Sequence, residues 1–426
     1  MTRFLVLGAG RSGLGAVAAL ARVRPTTQIR LVAPAAPEGV ELPGVELVVG
    51  REDASLLDEI DVLVKSPGVP ETAPLVLAAR DREIPVWGEI ELAYRLIDGS
   101  NPIVGVTGTN GKTTTTLLLA AMLSEGGVPA VAAGNIGTAL TSLAGEIEPG
   151  RVIVCELSSF QLENVETLRC DVAVLLNLTP DHLDRHGSLA QYGDAKLRIF
   201  ERQRATDTAV LCIDDPWVDA LETLPGEAQI ERVSGAVLPA RLEDAFARSR
   251  LRGPHNRSNA ACATRAALAL GADRAGICRA LESFAPPPHR LEEVRVLDGV
   301  RYVNDSKATN VEATVQALAA FERGVHVILG GSLKGGDFAA LRPAVERHAT
   351  RVYLIGEAAA SLAATLEGAA TPVSRDGTLE RALKHARREA QPGETVLLAP
   401  ACASFDQFQD FEQRGDRFRE LVEGLA

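Results

Sequence analysis

The chain of 426 residues has no CxxC pair and no other metal-ligand spacing, because its six cysteines lie scattered at 155, 170, 212, 262, 278 and 402. That pattern argues against a structural zinc site and fits reduced thiols in a cytoplasmic protein. No stretch approaches ~18 apolar residues free of charge, so no helix is expected to span a bilayer. No lysine or arginine run stands out, and the formal charge is −12 with a pI near 5.2. Nonspecific attraction to nucleic acid or to an anionic membrane is therefore not expected, and anionic ligands must be held by local sites. Short-period repeats and low-complexity tracts are missing as well. The opening run Phe4-Leu-Val-Leu7 is too short for a signal-peptide core and leads into a glycine turn, so it reads as a first strand. A soluble enzyme is the expectation.

What is present is alternation. Short β-branched or leucine-rich runs alternate with longer helical patterns almost throughout, which predicts an α/β class with parallel sheets covered by helices. Strands are expected at 4–7, 29–32, 45–49 and 62–64, with a helix over 13–22, and a break falls at Asn101-Pro102. Further strands are expected at 103–106, 152–155, 172–176 and 208–213, with a helix around 258–270. Pro286-Pro-Pro288 can continue neither a helix nor a central strand and reads as a stiff hinge. Beyond it, 325–329, 352–355 and 396–398 read as strands. This length predicts about three domains.

The segment Gly105-Val-Thr-Gly108-Thr109-Asn110-Gly111-Lys112-Thr113-Thr114 follows an apolar strand and opens a helix. Glycines let backbone N–H groups turn toward an anion, the helix N-terminus adds positive potential, Lys112 supplies a point charge and Thr113 a hydroxyl for Mg²⁺. The literal P-loop spacing is not met, since Val106 stands where its first glycine would be. A nucleoside triphosphate is the expected ligand; a glycine turn without ligand is the alternative.

Gly8-Ala-Gly10-Arg11-Ser12-Gly13 matches GxGxxG after a first strand, but the second strand ends Leu31-Val-Ala-Pro34 with no acidic residue for a ribose. The diphosphate of another nucleotide is as plausible as a dinucleotide, and glycines serving only the turn remain open. Glu156, ending the run Val152-Ile-Val-Cys155, fits a carboxylate ligand for Mg²⁺ at a strand end. His182, in Asn177-Leu-Thr-Pro-Asp-His-Leu-Asp184, is a metal ligand, a phosphate contact or an ordinary histidine. Nothing in local spacing singles out Lys196.

With these motifs in view, the chain resembles the Mur ligases, the ATP-dependent amide-forming enzymes of peptidoglycan precursor synthesis. The resemblance runs along nearly the whole chain. It is carried by Gly108-Thr-Asn-Gly-Lys-Thr113, Gly134-Asn-Ile-Gly137, Glu156-Leu-Ser-Ser-Phe-Gln-Leu162, Ala195-Lys-Leu-Arg198, Gly253-Pro-His-Asn256 and Pro288-His-Arg290. The blocks Asn304-Asp-Ser-Lys-Ala-Thr-Asn310, Ser404-Phe-Asp-Gln-Phe408 and Phe411-Glu-Gln-Arg-Gly415 point to the member that adds D-glutamate.

The resemblance implies three domains: a Rossmann-like N-terminal one for the UDP sugar (1–94), a central P-loop ATPase (95–287) and a Rossmann-like C-terminal one for the amino acid (288–426). It implies a cytoplasmic, monomeric enzyme that joins D-glutamate to UDP-N-acetylmuramoyl-L-alanine through an acyl phosphate, using ATP and two Mg²⁺ ions. Arg11, Ser12 and Ser66 would contact the UDP sugar, although Ala33-Pro34-Ala35 replaces the Asp-Thr-Arg common in close relatives. Gly108 to Thr114, with Asn259, Arg290 and Asp305, would bind ATP. Thr113, Glu156, His182 and a carbamylated Lys196 would hold the metal ions, Asn135 would steady the acyl phosphate beside the sugar peptide, and Lys112 would hold the β and γ phosphates. Thr309, Lys334, Ser404, Phe405 and Phe411 would receive D-glutamate. Closure of the last domain would complete the site. A ligase for another amino acid or for folate, a nicotinamide dehydrogenase built on Gly8 to Gly13, and a noncatalytic nucleotide sensor are the rival readings.

Overall fold

Runs of valine, leucine and isoleucine that are apolar on both faces need cover on both sides. In the computed structural model they form three mainly parallel sheets with flanking helices. The structure describes residues 2–37, 39–97, 99–333 and 338–425, with Asp184 described by its backbone alone.

The first sheet comprises β1 (Arg3–Leu7), β2 (Gln28–Ala33), β3 (Val45–Val49), β4 (Val62–Lys65) and β5 (Val86–Gly88), with α1 (Arg11–Val23), α2 (Pro74–Asp81) and α3 (Glu89–Leu96). Its order is β3-β2-β1-β4-β5, all parallel. Leu7 pairs with Lys65, so the loops that follow β1 and β4 leave the sheet side by side at its carboxyl edge. That edge, where the order of strands turns back, is where open α/β sheets receive ligands.

The second sheet comprises β6 (Ile103–Thr107), β7 (Ala130–Gly134), β8 (Val152–Glu156), β9 (Val172–Leu175), β10 (Thr208–Cys212) and β11 (Gln229–Val233). Its helices are α4 (Lys112–Glu125), α5 (Ser159–Leu162), α6 (Leu183–His186), α7 (Leu189–Leu197) and α8 (Pro216–Asp219). The order β11-β10-β9-β6-β8-β7 places β6 between β9 and β8, and β6, β8 and β9 are buried at every position.

After α9 (Ala240–Arg248), α10 (Pro254–Ala269) and α11 (Arg274–Ser283) comes the third sheet. It holds β12 (Glu292–Leu297), β13 (Val300–Asn304), β14 (Val325–Gly330), β15 (Ala349–Ile355), β16 (Val373–Gly377) and β17 (Thr395–Leu398), ordered β12-β13-β17-β14-β15-β16. Helices α12 (Val311–Ala319), α13 (Leu341–His348), α14 (Ala359–Thr365), α15 (Leu379–Glu389) and α16 (Phe411–Glu423) flank it. The α/β expectation holds, with one departure: β12 and β13 form an antiparallel hairpin at the edge, and every residue of β12 is half-buried or exposed.

The chain divides into two compact units, Met1–Ala245 with Ser258–Glu282, and Phe246–Arg257 with Ser283–Ala426. Within the first unit one apolar core runs through both sheets, from Phe4, Val6 and Leu31 by way of Ile90 and Leu92 to Ile153, Leu175 and Leu211. Ile90 and Leu92, on α3, are buried at 0 and 1 % exposure. Each contributes roughly 1.5–3 kcal/mol to holding the two sheets together. Polar ties reinforce them: Glu89 accepts from Thr141 N at 2.8 Å, and Glu91 accepts from the amides of Glu166, Thr167 and Leu168. In the second unit successive strand residues face opposite layers. Val327 and Leu329 join one core, and Ile328, Tyr353 and Leu398 the other.

Candidate active site

The glycine segment at 108–111 leaves β6 between the ends of β8 and β9. Gly111 caps α4 in the left-handed region at φ +83°, and a Cβ there would stand 2.4 Å from Asn259 Oδ1. The loop thus lies against Asn259, itself buried, and only glycine fits at 111. Asn177, just past β9, holds the other side: its Oδ1 accepts from Asn110 N at 2.8 Å, its Nδ2 donates to Asn110 O at 3.1 Å, and its carbonyl accepts from Thr109 N at 3.0 Å. Thr109 Oγ1 donates to Thr179 O at 3.1 Å. Thr113 and Thr114 lie buried in the first turn of α4.

Two lysines turn onto this loop. Lys112 Nζ donates to the carbonyls of Gly108 and Thr109 at 2.9 and 2.7 Å, bonds that phosphate oxygens can replace. Lys196 Nζ donates to Gly108 O at 2.7 Å and sits 4.5 Å above the ring of Tyr192. Burial first, and the charge of Lys112 second, push the Lys196 amine well below the ordinary lysine range, against the pull of Asp181 and Glu156. The structure places Lys196, invisible to spacing, at the heart of the loop.

Glu156 ends β8 at 2 % exposure. Its Oε1 accepts from Asn135 Nδ2 at 3.1 Å, while its Oε2 is buried without a hydrogen-bond partner. An orphaned buried carboxylate oxygen is costly and calls for a proton or a cation. Among the described residues no three His, Cys, Asp or Glu side chains gather as a ready-made metal centre. The donor set suits Mg²⁺, which binds through one or two carboxylates and completes its shell with water and phosphate oxygens. Glu156 and the Thr113 hydroxyl are the side chains beside the loop that could contribute to such a site.

His182 caps α6 from a left-handed backbone, φ +54°, a conformation that costs a non-glycine residue about 1 kcal/mol. Its ring is 4.9 Å from that of Phe160, its Nε2 lies 3.7 Å from Asp181 Oδ2, and its side chain is 43 % exposed. The strained turn carries a half-exposed imidazole beside an acid.

Asn135 also joins a second feature. A cavity of about 610 Å³ opens between the carboxyl edges of the first two sheets, and Arg11, Ser12, Ser66, Asn135 and Gln161 line it together with Glu89. Here the glycines of the first loop have a steric reason: a Cβ on Gly13 would stand 1.8 Å from Gly8 O. Burial raises the Glu89 carboxyl above its usual range, with its bond from Thr141 opposing.

In the second unit, Asp305 follows β13, with its Oδ1 accepting from Leu291 N at 3.3 Å. Burial pushes its carboxyl up to about 7, opposed by the charge of Arg290. Ser404 is buried, Phe405 is 71 % exposed, and Thr309 and Phe411 are half-buried. Lys334 lies outside the described residues. Lys307 Nζ lies 4.9 Å from the Phe411 ring. One side chain gathers these loops: Arg414, 1 % exposed, donates from Nε to Ser306 Oγ at 2.9 Å, from Nη1 to Ala403 O at 3.1 Å, and from Nη2 to Ser306 O at 2.9 Å and Cys402 O at 3.2 Å. Sequence reasoning did not single out Tyr192, and it gave no role to Asn177, Gln161 and Arg414, which stand inside quoted motifs. Only Gln161 carried a local signal, the capping-box spacing Ser158-x-x-Gln161 that the structure forms.

Three family descriptions match the chain: "Mur ligase MurD-like, N-terminal domain" over residues 2–88, "Mur ligase middle domain" over 106–236, and "Mur ligase, glutamate ligase domain" over 289–402. The chain is 43 % identical over 409 residues to the UDP-N-acetylmuramoylalanine–D-glutamate ligase of Myxococcus xanthus, covering 91 % of this chain and 89 % of that one. It is 42 % identical over 439 residues to the enzyme of that name from Sphingopyxis alaskensis, covering 100 and 98 %. Among solved structures, the MurF ligase of Thermotoga maritima in complex with ADP superposes with a TM-score of 0.61 at 18 % identity, covering 100 % of this chain and 99 % of that one. At that identity the likeness bears on fold alone.

Proposed function

The chain belongs to the Mur ligase family, and on that footing we propose how its residues divide the work of an ATP-dependent ligase that joins D-glutamate to UDP-N-acetylmuramoyl-L-alanine in peptidoglycan precursor synthesis. The observation that carries the reading is the position of Asn135, which lines the cavity and at the same time donates to Glu156 beside the phosphate loop. An acid seated in that cavity has its carboxylate end next to the γ-phosphate.

A carboxylate is a poor acyl donor. Its oxygen attacks the γ-phosphorus, the bond to the β-phosphate oxygen breaks, and ADP leaves an acyl phosphate. The amine of D-glutamate then adds to the acyl carbon, the tetrahedral intermediate expels phosphate, and the ammonium proton is lost as the amide forms. Two anions must approach each other, so the protein's part is placement and charge neutralisation. Lys112 holds the β and γ phosphates, the amides of Gly108 to Gly111 cradle them, and Thr114 and Asn259 steady the nucleotide. Arg290 and Asp305 take its phosphate and ribose. Arg11, Ser12 and Ser66 hold the UDP sugar at the end of α1, and Asn135 steadies the acyl phosphate oxygens.

Mg²⁺ supplies neutralisation of the phosphate charge when bound. Thr113 and Glu156 would hold one ion, and His182 with Lys196 a second. Lys196 as a carbamate would turn a cation into a carboxylate-like ligand, and its depressed pKa supports this because CO₂ adds to the neutral amine. Thr309, Lys334, Ser404, Phe405 and Phe411 receive the amino acid. This assignment treats residues 1–94, 95–287 and 288–426 as the modules for UDP sugar, ATP and amino acid, acting in the cytoplasm as one chain.

Inorganic phosphate release tests the reading. It is expected only when ATP, UDP-N-acetylmuramoyl-L-alanine and D-glutamate are all present, and release without the last two overturns it. In CO₂-depleted buffer the rate is expected to fall and to return with bicarbonate; an unchanged rate removes the carbamate. Fractionation of cells tests the cytoplasmic site.

A further inference from the structure

One wall of the cavity, Ser66 to Val69, is held by its carbonyl oxygens. Lys65, 1 % exposed at the end of β4, donates from Nζ to Val69 O at 2.8 Å and pairs with Glu71 at 2.7 Å. The second grip comes from α6, which His182 caps: Arg185 Nη1 donates to Pro67 O at 2.9 Å. Arg185 also binds Glu163 two-pronged, Nε to Oε1 at 3.2 Å and Nη2 to Oε2 at 2.5 Å. Its guanidinium lies 4.0 Å over the Phe160 ring, which in turn packs against His182 at 4.9 Å. Glu163 stands two residues beyond Gln161, another cavity-lining residue.

One guanidinium therefore touches the cavity wall, the end of α5 and the aromatic ring that backs His182. Arg185 and Glu163 are 19 and 15 % exposed at their side chains, so the pair is only weakly screened. From this geometry we propose that Arg185 is a positioning residue that fixes the spacing between the Pro67 wall and the His182 turn, and with it the placement of the sugar-nucleotide acid. The proposal rests on the ligase reading. A planar fork can bond Pro67 O and both oxygens of Glu163 at its edge while its face covers the Phe160 ring; an ammonium cannot hold all of these at once. Arg185 approaches the cavity through the outward carbonyl of Pro67, so its effect on substrate is indirect.

The test uses the full chain and Arg185→Lys, with Glu163→Gln as a second variant that leaves the arginine in place. Calorimetric titration with UDP-N-acetylmuramoyl-L-alanine, without ATP or Mg²⁺, is expected to show roughly tenfold weaker binding for Arg185→Lys and about threefold for Glu163→Gln. In turnover, KM for that substrate rises by a similar factor, while KM for ATP and for D-glutamate stays within about twofold. A general loss of packing moves all three constants together, and that result, or unchanged binding in both variants, overturns the proposal. Should Arg185→Lys fail to fold, Glu163→Gln decides alone. Wild-type protein that binds the sugar nucleotide but forms no amide overturns the ligase reading, and the calorimetric comparison still decides this one.

Discussion

Lys196 in the first unit, where Lys65 is buried as well, and Arg414 in the second are both almost completely buried, and the two are treated in opposite ways. Arg414 in the second unit is surrounded by carbonyls and a hydroxyl that take up its Nε, Nη1 and Nη2 donors. Burial lowers it to about 10, so it remains charged at neutral pH. Lys196 in the first unit has one carbonyl partner and an aromatic face. Its neighbour Glu156 keeps an unpartnered oxygen. A saturated buried charge holds loops in place, and an unsaturated one is available for chemistry. The contrast separates scaffold from reacting site without any appeal to motif.

The contrast is open to attack on either side. Replacing Glu156 by Gln is expected to lower kcat by about 10³-fold, the scale of a lost metal ligand, with the melting temperature held or raised because an orphaned charge disappears. Falling stability with intact turnover would make Glu156 scaffold and break the contrast. Arg414→Met should do the reverse first. It takes a donor from the carbonyls of Ser306 and Cys402, while Ala403 O keeps its bond from Ser332 N, and is expected to cost about 1–3 kcal/mol in denaturant unfolding for each carbonyl that loses its last donor. Unchanged unfolding would show that the arginine is not what gathers these loops.

A smaller effect sharpens the second half. Asp305 has its pKa raised by burial from 3.8 to about 7. Below the lower value both folded and unfolded forms are protonated, and between the two values the unfolded chain loses its proton first. Stability therefore falls as pH rises through that window and levels off above it. Asp305→Asn removes the slope. Its melting temperature should exceed that of the parent at pH 8, by an amount worth on the order of a few kcal/mol or less, and the gap should close toward pH 4. A constant gap across pH would mean that the carboxyl is not buried as described.

Much of this was legible in the chain because parallel strands buried on both faces announce themselves. Val152 to Cys155 and Val325 to Leu329 could be little else. The strand Ala130–Gly134 was not, since alanine and glycine carry no apolar period. The hairpin β12–β13 has Asp298-Gly299 at its turn, a good hairpin signal, but the outer strand is charged and half exposed and does not resemble its neighbours. At the site, the phosphate loop, Glu156 and the block around His182 stood out as polar or glycine-rich segments directly after apolar strands. Lys196 came only by resemblance, because its surroundings are assembled from residues 88 positions away. Asn177 and Arg414 have the same difficulty: each matters through what its side chain reaches across the fold, and composition is silent about reach.

The apolar core shared by the first two sheets bears on how the chain is made. As the polypeptide emerges from the ribosome, β1, α1 and α3 present Phe4, Leu20 and Ile90 to an interior whose other half, Ile153, Leu175 and Leu211, has yet to be synthesised. About half the protein must be translated before that interior can close. Until then the nascent N-terminal segment carries an uncovered greasy flank, and this is the interval in which a holdase would find something to grip.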